Sequence, residues 1–490
     1  MQWKRRYITV LMMVVSPYCL LLSQINHADD VSRGPGDEAS SFNILKQKFA
    51  GASASFEVRK IYITGNKKTK DEIILREIPF KEGEHYLLQE LVKKFEDGQR
   101  QLMNTSLFHD VSVTLKSFEG YNVDIQVTVQ ERWYLFPLPY FKYIDRNLNQ
   151  WLVENHARLN RVNYGIKVLY NNATGRNDKL NVWLINGYTK QVSLNYDRLY
   201  FDKKMKFGVN TGVALGKNRE VNYSTVNNKQ LFYKDVNKYV RSYFKTYAEL
   251  TYRRAIHTRH RLGISYTDEQ VEDTIVTLNP TYFKDRRNRI RYPEVYYSMS
   301  YYNVDYIPYP LKGYIAEVSF IKRGFNNIIN LWQLNVKGGG NWKVANNTYF
   351  SVRATGTLKF PFRQPYTNQR LFGYSDFSMQ GYEYFVIDGV AGGCIKTTIY
   401  RQLLNFNMYV RKKKDQPPLR IPFRIFAKAY TNAGYVHNPY PGVNGLSNQM
   451  LYSGGVGLDI VTFYDFTLKL EWSFNQLGQN GLYLHRKSNF

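Results

Sequence analysis

The stretch Phe466-Thr467-Leu468-Lys469-Leu470-Glu471-Trp472-Ser473-Phe474 alternates apolar and polar residues without a break. A β-strand turns successive side chains to opposite faces, so one face here is Phe, Leu, Leu, Trp, Phe and the other is Thr, Lys, Glu, Ser. The pattern recurs upstream. Met205, Phe207, Val209, Val213 and Leu215 alternate with Lys206, Gly208, Asn210, Gly212 and Gly216. Phe244, Ala248, Leu250 and Tyr252 alternate with Lys245, Tyr247, Glu249 and Thr251; Phe350, Val352, Ala354, Leu358 and Phe360 alternate with Ser351, Arg353, Thr355 and Lys359. A soluble sandwich also alternates. Two features favour a closed cylinder in lipid: Lys, Arg and Glu sit deep within the segments, as a wet lumen permits, and the segments are long enough for a tilted membrane crossing. Residues 133–490, at roughly 22 residues per strand and connection, predict about sixteen antiparallel transmembrane strands, an even number.

Composition agrees with this reading. Of the residues, 16% are aromatic and 42 are Tyr, yet the mean hydropathy is −0.47. A barrel reconciles the two, because only every second residue meets lipid while Tyr and Trp collect at the interfaces. No long apolar run follows the first three dozen residues, which excludes membrane-crossing helices.

The chain opens with Lys4, Arg5 and Arg6, an apolar stretch from Tyr7 to Leu22, and then Ser23, Gln24, Asn26 and Asp29. That is the layout of a secretory signal peptide over residues 1–28, cut after Ala28, with a membrane anchor as the alternative. Residues 29–55 read as a flexible leader with a short helix near Phe42 to Phe49. Of the two cysteines, Cys19 leaves with the signal peptide and Cys394 stands alone, so no disulfide framework or cysteine metal site forms within one mature chain. The net charge is +27. Export argues against nucleic acid as its partner and for anionic outer-membrane lipid or a basic lumen, with charge held in long loops for solubility as the alternative.

Residues 56–132 read differently. Val58, Ile61, Tyr62 and Ile63 form a strand stopped by Gly65-Asn66. Thr69 is placed to cap a short helix holding Ile73, Ile74 and Leu75, which Pro79 ends. A second helix starts near Leu87, with Leu88, Leu91, Val92, Phe95 and Leu102 at the spacing of one face. The period then switches to two: Val111, Val113, Leu115, a turn at Glu119-Gly120, then Val123, Ile125, Val127 and Val129. This is a small βααββ domain of two layers ahead of a mainly β chain.

Enzyme signals are weak. The sequence has no G-x-S-x-G elbow, no H-E-x-x-H helix and no phosphate-binding glycine loop, and it assigns no catalytic residue, metal or cofactor. The more telling stretch runs from Arg370 to Leu404, with Leu371-Phe372-Gly373-Tyr374, Ser378-Met379-Gln380-Gly381-Tyr382-Glu383, Asp388-Gly389 and Gly392-Gly393. Glycines this dense around aromatics predict a long ordered loop. Folded into the lumen, it would turn at Gly381 and hold the wall through Gln380 and Glu383; an extracellular loop of no special role is the alternative.

At this point the sequence resembles a known family. Ile63-Thr64-Gly65-Asn66, Glu82-Gly83, Leu107-Phe108-His109-Asp110-Val111 and Val127-Thr128-Val129-Gln130-Glu131 look like a polypeptide-transport-associated (POTRA) domain. The remainder resembles the barrel of the BamA- and TamA-like outer-membrane assembly and translocation superfamily, which includes the two-partner secretion transporters. Gln380-Gly381-Tyr382-Glu383 lies where that family has an Arg-Gly-aromatic loop motif. Ala429-Tyr430-Thr431-Asn432-Ala433-Gly434 resembles its late Asp-Ala-Gly strand, and Gly454-Gly455-Val456-Gly457-Leu458-Asp459 its glycine-rich penultimate region. Phe490 is the terminal aromatic. There are departures: Gln380 replaces an arginine and lacks its bidentate reach, Asn432 replaces an aspartate, and there is one POTRA domain where BamA-like members have several.

The resemblance implies an outer-membrane protein of a Gram-negative bacterium, its POTRA domain in the periplasm, acting in insertion or translocation of unfolded outer-membrane or secreted clients. Accessory lipoproteins are possible further partners. The implied client edge is Val111-Ser112-Val113-Thr114-Leu115, which would capture extended chains by main-chain pairing. The implied seam joins the first barrel strand, near Tyr134–Tyr143 with Pro137, Pro139 and Phe141, to the last, near Gly481–Phe490 with Leu482, Leu484 and Phe490. Pro137 and Pro139 lack amide donors and so predict a frayed seam, unless both precede the strand. A passive pore or structural barrel with a POTRA docking module is the rival reading.

Overall fold

The computed structural model describes residues 55–143, 150–154, 156, 162–202, 205–235, 237–374, 377–410, 419–462 and 465–485. The expected signal peptide, the leader up to residue 54 and Phe490 lie outside them, and Ser55, the last residue of the expected leader, already belongs to the first strand.

The N-terminal domain runs β1 (Ser55–Thr64), α1 (Asp71–Glu77), β2 (His85–Leu87), α2 (Leu88–Asn104), β3 (Phe108–Glu119) and β4 (Asn122–Glu131). The short β2 is an addition to the expected βααββ order: Glu57 to Ser55 pair with His85 to Leu87 just before the second helix begins. The sheet order is β2-β1-β4-β3, with β1 parallel to β4 and β3 antiparallel to it. Leu91, Phe95 and Leu102 of α2 pack with Ile73 and Ile74 of α1 on Phe56, Val58, Val111, Leu115, Val123, Ile125, Val127 and Val129. Burying each of these side chains is worth about 1.5–3 kcal/mol, ample to hold a domain this small.

The barrel strands are β5 (Leu135–Tyr143), β6 (Val162–Asn171), β7 (Lys179–Gly187), β8 (Thr189–Tyr200) and β9 (Phe207–Asn218). A side hairpin of β10 (Glu220–Val226) and β11 (Lys229–Lys234) follows, then β12 (Arg241–Tyr252), β13 (Thr258–Val271), β14 (Arg289–Val304), β15 (Gly313–Arg323), β16 (Leu331–Ala345) and β17 (Thr348–Phe360). The loop after β17 carries β18 (Arg370–Phe372) and β19 (Ile387–Asp388). The wall resumes with β20 (Ala391–Val410), β21 (Leu419–His437), β22 (Met450–Val461), β23 (Thr467–Asn475) and β24 (Asn480–His485). Apart from the two small hairpins, the strands form one 16-stranded sheet in simple sequence order, with β5 and β24 at its ends. Connections alternate between the two mouths, so those at the N-terminal domain's mouth are short turns and those at the far mouth include the long loops.

The alternation read from sequence sets the faces. Leu262, Ile264, Val336, Leu358, Ile399, Trp472 and Leu482 stand exposed on the outside. Between them lie inward residues such as Arg261, Ser265, Lys337, Lys359 and Glu471. Inward glycines make room for rings: a Cβ on Gly212 would come within 2.5 Å of the Tyr247 ring, and one on Gly263 within 2.4 Å of the Tyr296 ring. That close approach explains why glycine recurs on the polar face of β9 and β13.

The N-terminal domain packs onto the turns at its end of the barrel. Thr69 does not cap α1 as expected: the N-cap is Lys70, with no side-chain cap bond. Thr69 is instead buried, its Oγ1 2.9 Å from the Tyr134 hydroxyl and accepting a bond from Asn172 Nδ2 at 2.9 Å. Tertiary contact has outbid local capping there. Lys70 N–H donates to Gly175 O at 3.0 Å in the β6–β7 turn. Arg76 Nη1 donates to Met205 O at 3.1 Å, between β8 and β9. Arg253, in the β12–β13 turn, donates through Nη2 to Glu77 Oε2 at 2.5 Å and through Nη1 to Oε1. Burial pushes the Glu77 carboxyl up, but Arg253 and then Arg76 outweigh it and hold the group well below the usual carboxylate range. Asn104 Oδ1 accepts from Ile307 N–H at 3.0 Å in the β14–β15 turn, and Arg132 Nη1 donates to Asp465 Oδ2 at 2.8 Å in the β22–β23 turn. The contacts therefore reach turns well separated around the mouth.

The β14–β15 turn also enters the lumen. Tyr309 donates its hydroxyl to Asp459 Oδ2 at 2.9 Å, and its ring lies 5.0 Å from that of Phe426 and 5.9 Å from that of Tyr400. Asp459 and Phe426 belong to β22 and β21, and β16, β17 and β20 separate them from β15 in the ladder. The turn is thus a strap across part of the cylinder.

Candidate functional site

The loop between β17 and β20 lies inside the barrel. Leu371, Phe372, Phe377, Met379, Tyr382, Phe385 and Ile387 pack into one apolar cluster with Cys394 of β20, Val436 of β21, Leu451 of β22 and Leu446 of the β21–β22 loop. The base of the loop is tied by Lys359, whose buried ammonium donates to Asn368 O at 2.8 Å and Arg370 O at 2.7 Å.

The four residues singled out from sequence come together on the wall of β21–β23. Gly381 has φ +89°, and a Cβ there would press within 3.0 Å of Phe474 O, so only glycine turns this closely. Asn475 Nδ2 donates to Gly381 O at 2.7 Å. The Tyr382 hydroxyl donates to Tyr452 O at 3.1 Å, and Gly381 N–H donates to Glu383 Oε2 at 2.8 Å. Gln380 Nε2 reaches Glu471 Oε1 at a long 3.4 Å, and among the described residues its buried Oε1 has no hydrogen-bond partner. The amide is thus a weak hold compared with what surrounds it.

What surrounds it was not foreseen from sequence. Lys428 of β21 places Nζ 2.5 Å from both Asp459 Oδ1 and Glu471 Oε1, with all three side chains essentially sealed from solvent. His485 of β24 holds the other oxygen of Glu471 through Nδ1. Tyr430 and Ser473 share a 2.6 Å hydrogen bond, and Asn432 donates to Ser453 Oγ at 3.0 Å beside them. The charges that a charged loop residue would have supplied stand on the wall itself. Their only trace in the sequence was a set of lysines and acids at mid-strand.

The proposed client edge, Val111–Leu115, falls in β3, an end strand of the small sheet. Gln99 Nε2 donates to Val111 O at 2.8 Å, so that carbonyl points away from β4. Alternation in an antiparallel pair then turns the main-chain groups of Val113 to the outer edge and those of Ser112 and Thr114 toward β4. At the seam, Pro137 and Pro139 lie within β5, opposite Val168 and Ile166 of β6, rather than ahead of it. Asn171 N–H donates to Tyr134 O at 2.8 Å. Counting on by twos puts the missing donors of both prolines on the edge away from β6, where edge-strand proline is tolerated. Phe141 and Leu482 point outward and exposed, and Leu484 follows Leu482 on the same face of β24. Among the described residues no group of His, Cys, Asp and Glu is arranged to hold a metal ion.

Comparison with known proteins gives this architecture a class. Residues 56–132 match the family model of POTRA, the surface antigen variable number repeat. Over 81 residues the chain is 32% identical to the outer membrane protein assembly factor BamA of Neorickettsia risticii (strain Illinois), a match covering 16% of this chain and 10% of that protein. The chain thus spans about a tenth of the length of the curated relative it matches. Among solved structures, BamA from Haemophilus ducreyi lacking POTRA domains 1–3 superposes with TM-score 0.51 at 14% identity, covering 94% of this chain and 93% of that one. CdiB from Escherichia coli gives TM-score 0.51 at 10% identity over 88% and 74%. Residues 56–132 form a POTRA domain, and the fold as a whole is that domain joined to a 16-stranded antiparallel barrel, as in these two structures.

Proposed function

We propose that the protein inserts or translocates other proteins at the outer membrane of a Gram-negative bacterium, with its POTRA domain in the periplasm. The observation that carries this reading is the pair of edges: β3 turns the main-chain groups of Val113 and Leu115 to its outer edge, and β5 carries two prolines whose missing donors face away from β6, where the resemblance puts the seam with β24. An extended client that pairs along Val113 and Leu115, and displaces Gln99 from Val111 O, gains main-chain hydrogen bonds with little demand on its sequence. An edge in lipid is costly, so a seam weakened by Pro137 and Pro139 is the place where a client strand can replace a poor pairing by a better one. The client's own strand pairing and burial in lipid then drive the step. Unfolded outer-membrane or secreted proteins are the clients, anionic lipid is the counter-charge to the barrel's basic balance, and accessory lipoproteins are candidate neighbours. The strap at Tyr309 and the loop at Gln380–Glu383 occupy the lumen, which argues against the passive pore.

Depleting the protein tests the proposal. Loss of several unrelated barrel proteins from the outer membrane supports assembly, and loss of one secreted protein alone supports translocation. An unchanged outer-membrane protein complement together with a stable open conductance in planar bilayers would overturn both and leave the pore.

A further inference from the structure

β20 and β21 are much longer than a membrane crossing needs. A tilted strand spans the apolar core in about 9–11 residues. Their neighbours β17 and β22 have 13 and 12 residues, but β20 has 20 and β21 has 19. The excess lies at one end. β17 leaves β20 at Thr348↔Arg401 and β22 leaves β21 at Arg424↔Val461, both at the mouth that carries the N-terminal domain. The two strands run on together from Phe406↔Phe423 to Val410↔Leu419, five rungs with no neighbouring strand among the described residues. At about 3.3 Å per residue, the hairpin passes the rim by on the order of 20 Å.

This ribbon has two unlike faces. Leu404, Phe406 and Met408 stand opposite Ile425, Phe423 and Ile421, and the Phe406 and Phe423 rings stack at 5.4 Å and 10°. Leu404, Phe406 and Met408 are 53, 42 and 49% exposed, as open as the outward Ile395 and Ile399 of the same strand at 53 and 46%. Asn405 and Asn407 take the other face, opposite Arg424 and Pro422, and the Arg424 guanidinium lies 5.0 Å from the ring centre of Tyr306 in the strap. A bulge between Gln402 and Leu404, at the rim, sets these faces. Straight alternation from the outward Arg401 would turn Asn405 and Asn407 outside and Phe406 and Met408 in; one extra residue reverses them. A bulge also bends its strand. Bending this hairpin outward rotates its apolar face up toward the bilayer and its polar face toward water. Charge agrees with that direction: from Arg401 to Arg424 the sequence holds seven Lys or Arg, Arg411-Lys412-Lys413-Lys414 among them, against one acid, Asp415. An apolar face with cations around it fits a surface of anionic phospholipid.

We propose that the β20–β21 hairpin is an interfacial anchor, which lays Leu404, Phe406, Met408, Ile421 and Phe423 into anionic phospholipid of the periplasmic leaflet beside the barrel. The apolar face continues the outer face of the wall without a break, which favours lipid over a second copy of the chain or another protein as its cover. The anchor rests on the outer-membrane placement proposed above.

The test places a dye at a single cysteine in the full chain carrying Cys19→Ser and Cys394→Ser, folded into phosphatidylcholine vesicles with or without phosphatidylglycerol. The labelled variants are Ile399→Cys in the wall, Phe406→Cys and Met408→Cys on the apolar face of the ribbon, and Asn407→Cys on its polar face. In anionic vesicles, nitroxide lipid should quench Phe406→Cys and Met408→Cys about threefold or more over Asn407→Cys, and close to the level of Ile399→Cys. Iodide on both sides of the bilayer should quench in the opposite order. Omitting phosphatidylglycerol should lower the lipid quenching at the two apolar positions by about twofold or more and leave Ile399→Cys unchanged. Equal quenching in the two lipids overturns the anionic preference. Phe406→Cys and Met408→Cys as open to iodide as Asn407→Cys, with Ile399→Cys in lipid, overturn the anchor and keep the barrel. Ile399→Cys out of reach of lipid overturns the membrane placement itself. Shielding from both quenchers that grows with protein density in the vesicle overturns lipid as the cover and puts a second copy there.

Discussion

Lys428 stands between Asp459 and Glu471 with all three side chains sealed from solvent, and breaking such a buried arrangement from one side leaves charge uncompensated. Lys428→Met should therefore destabilise the barrel by about 3–5 kcal/mol, read as a lower midpoint in thermal unfolding in detergent. Gln380 is the natural place to put the charge back, since its amide already points at Glu471 over 3.4 Å. Gln380→Arg alone should gain little, because Lys428 and His485 already occupy the carboxylates, whereas in the Lys428→Met background it should recover at least half of the loss. Equal effects of Gln380→Arg in both backgrounds would show that the two positions are uncoupled.

At the scale of elements, lipid and lumen faces should respond oppositely to the same substitution. Ile264→Lys, on the outer face of β13, should cost about 2–4 kcal/mol, while Ser265→Lys, one residue on and facing the lumen, should cost far less; refolding equilibria into bilayers would measure both. In the N-terminal domain, Val113→Pro removes an outward amide and leaves the ladder to β4 intact. It should abolish binding of an extended client peptide with a small loss of stability, whereas Ser112→Pro should unfold the domain. These elements were legible in the sequence because a period of two or 3.6 is imposed by one buried or lipid-facing side, so β12, β23 and α2 announce themselves. What stayed illegible has a physical cause as well. Thr69 has the chemistry of a cap but is claimed by Tyr134 and Asn172, which only the docked barrel supplies. Lys428, Asp459 and Glu471 meet across three consecutive strands, β21, β22 and β23, and nothing local in any one of them marks the pairing. The short β2 carries too few residues to show any period.

At the scale of the molecule, the contact between the POTRA domain and the barrel includes an ion pair, Glu77 with Arg253, that acid should release. Glu77 titrates below its ordinary value when docked, so its contribution is complete above about pH 4.5 and is lost progressively as pH falls below that. Energy transfer between a dye on the domain and one on the barrel should fall across that acid range, and Arg253→Met should weaken docking already at neutral pH and flatten the curve. The lumen loop offers a different handle. Cys394 sits beneath it, buried in the same cluster as Met379 and Tyr382. A maleimide cannot reach a thiol covered in this way, so the rate at which intact cells or liposomes take up the label becomes a clock for how often the barrel empties itself. The chain needs no engineered probe for that measurement; it was translated with one.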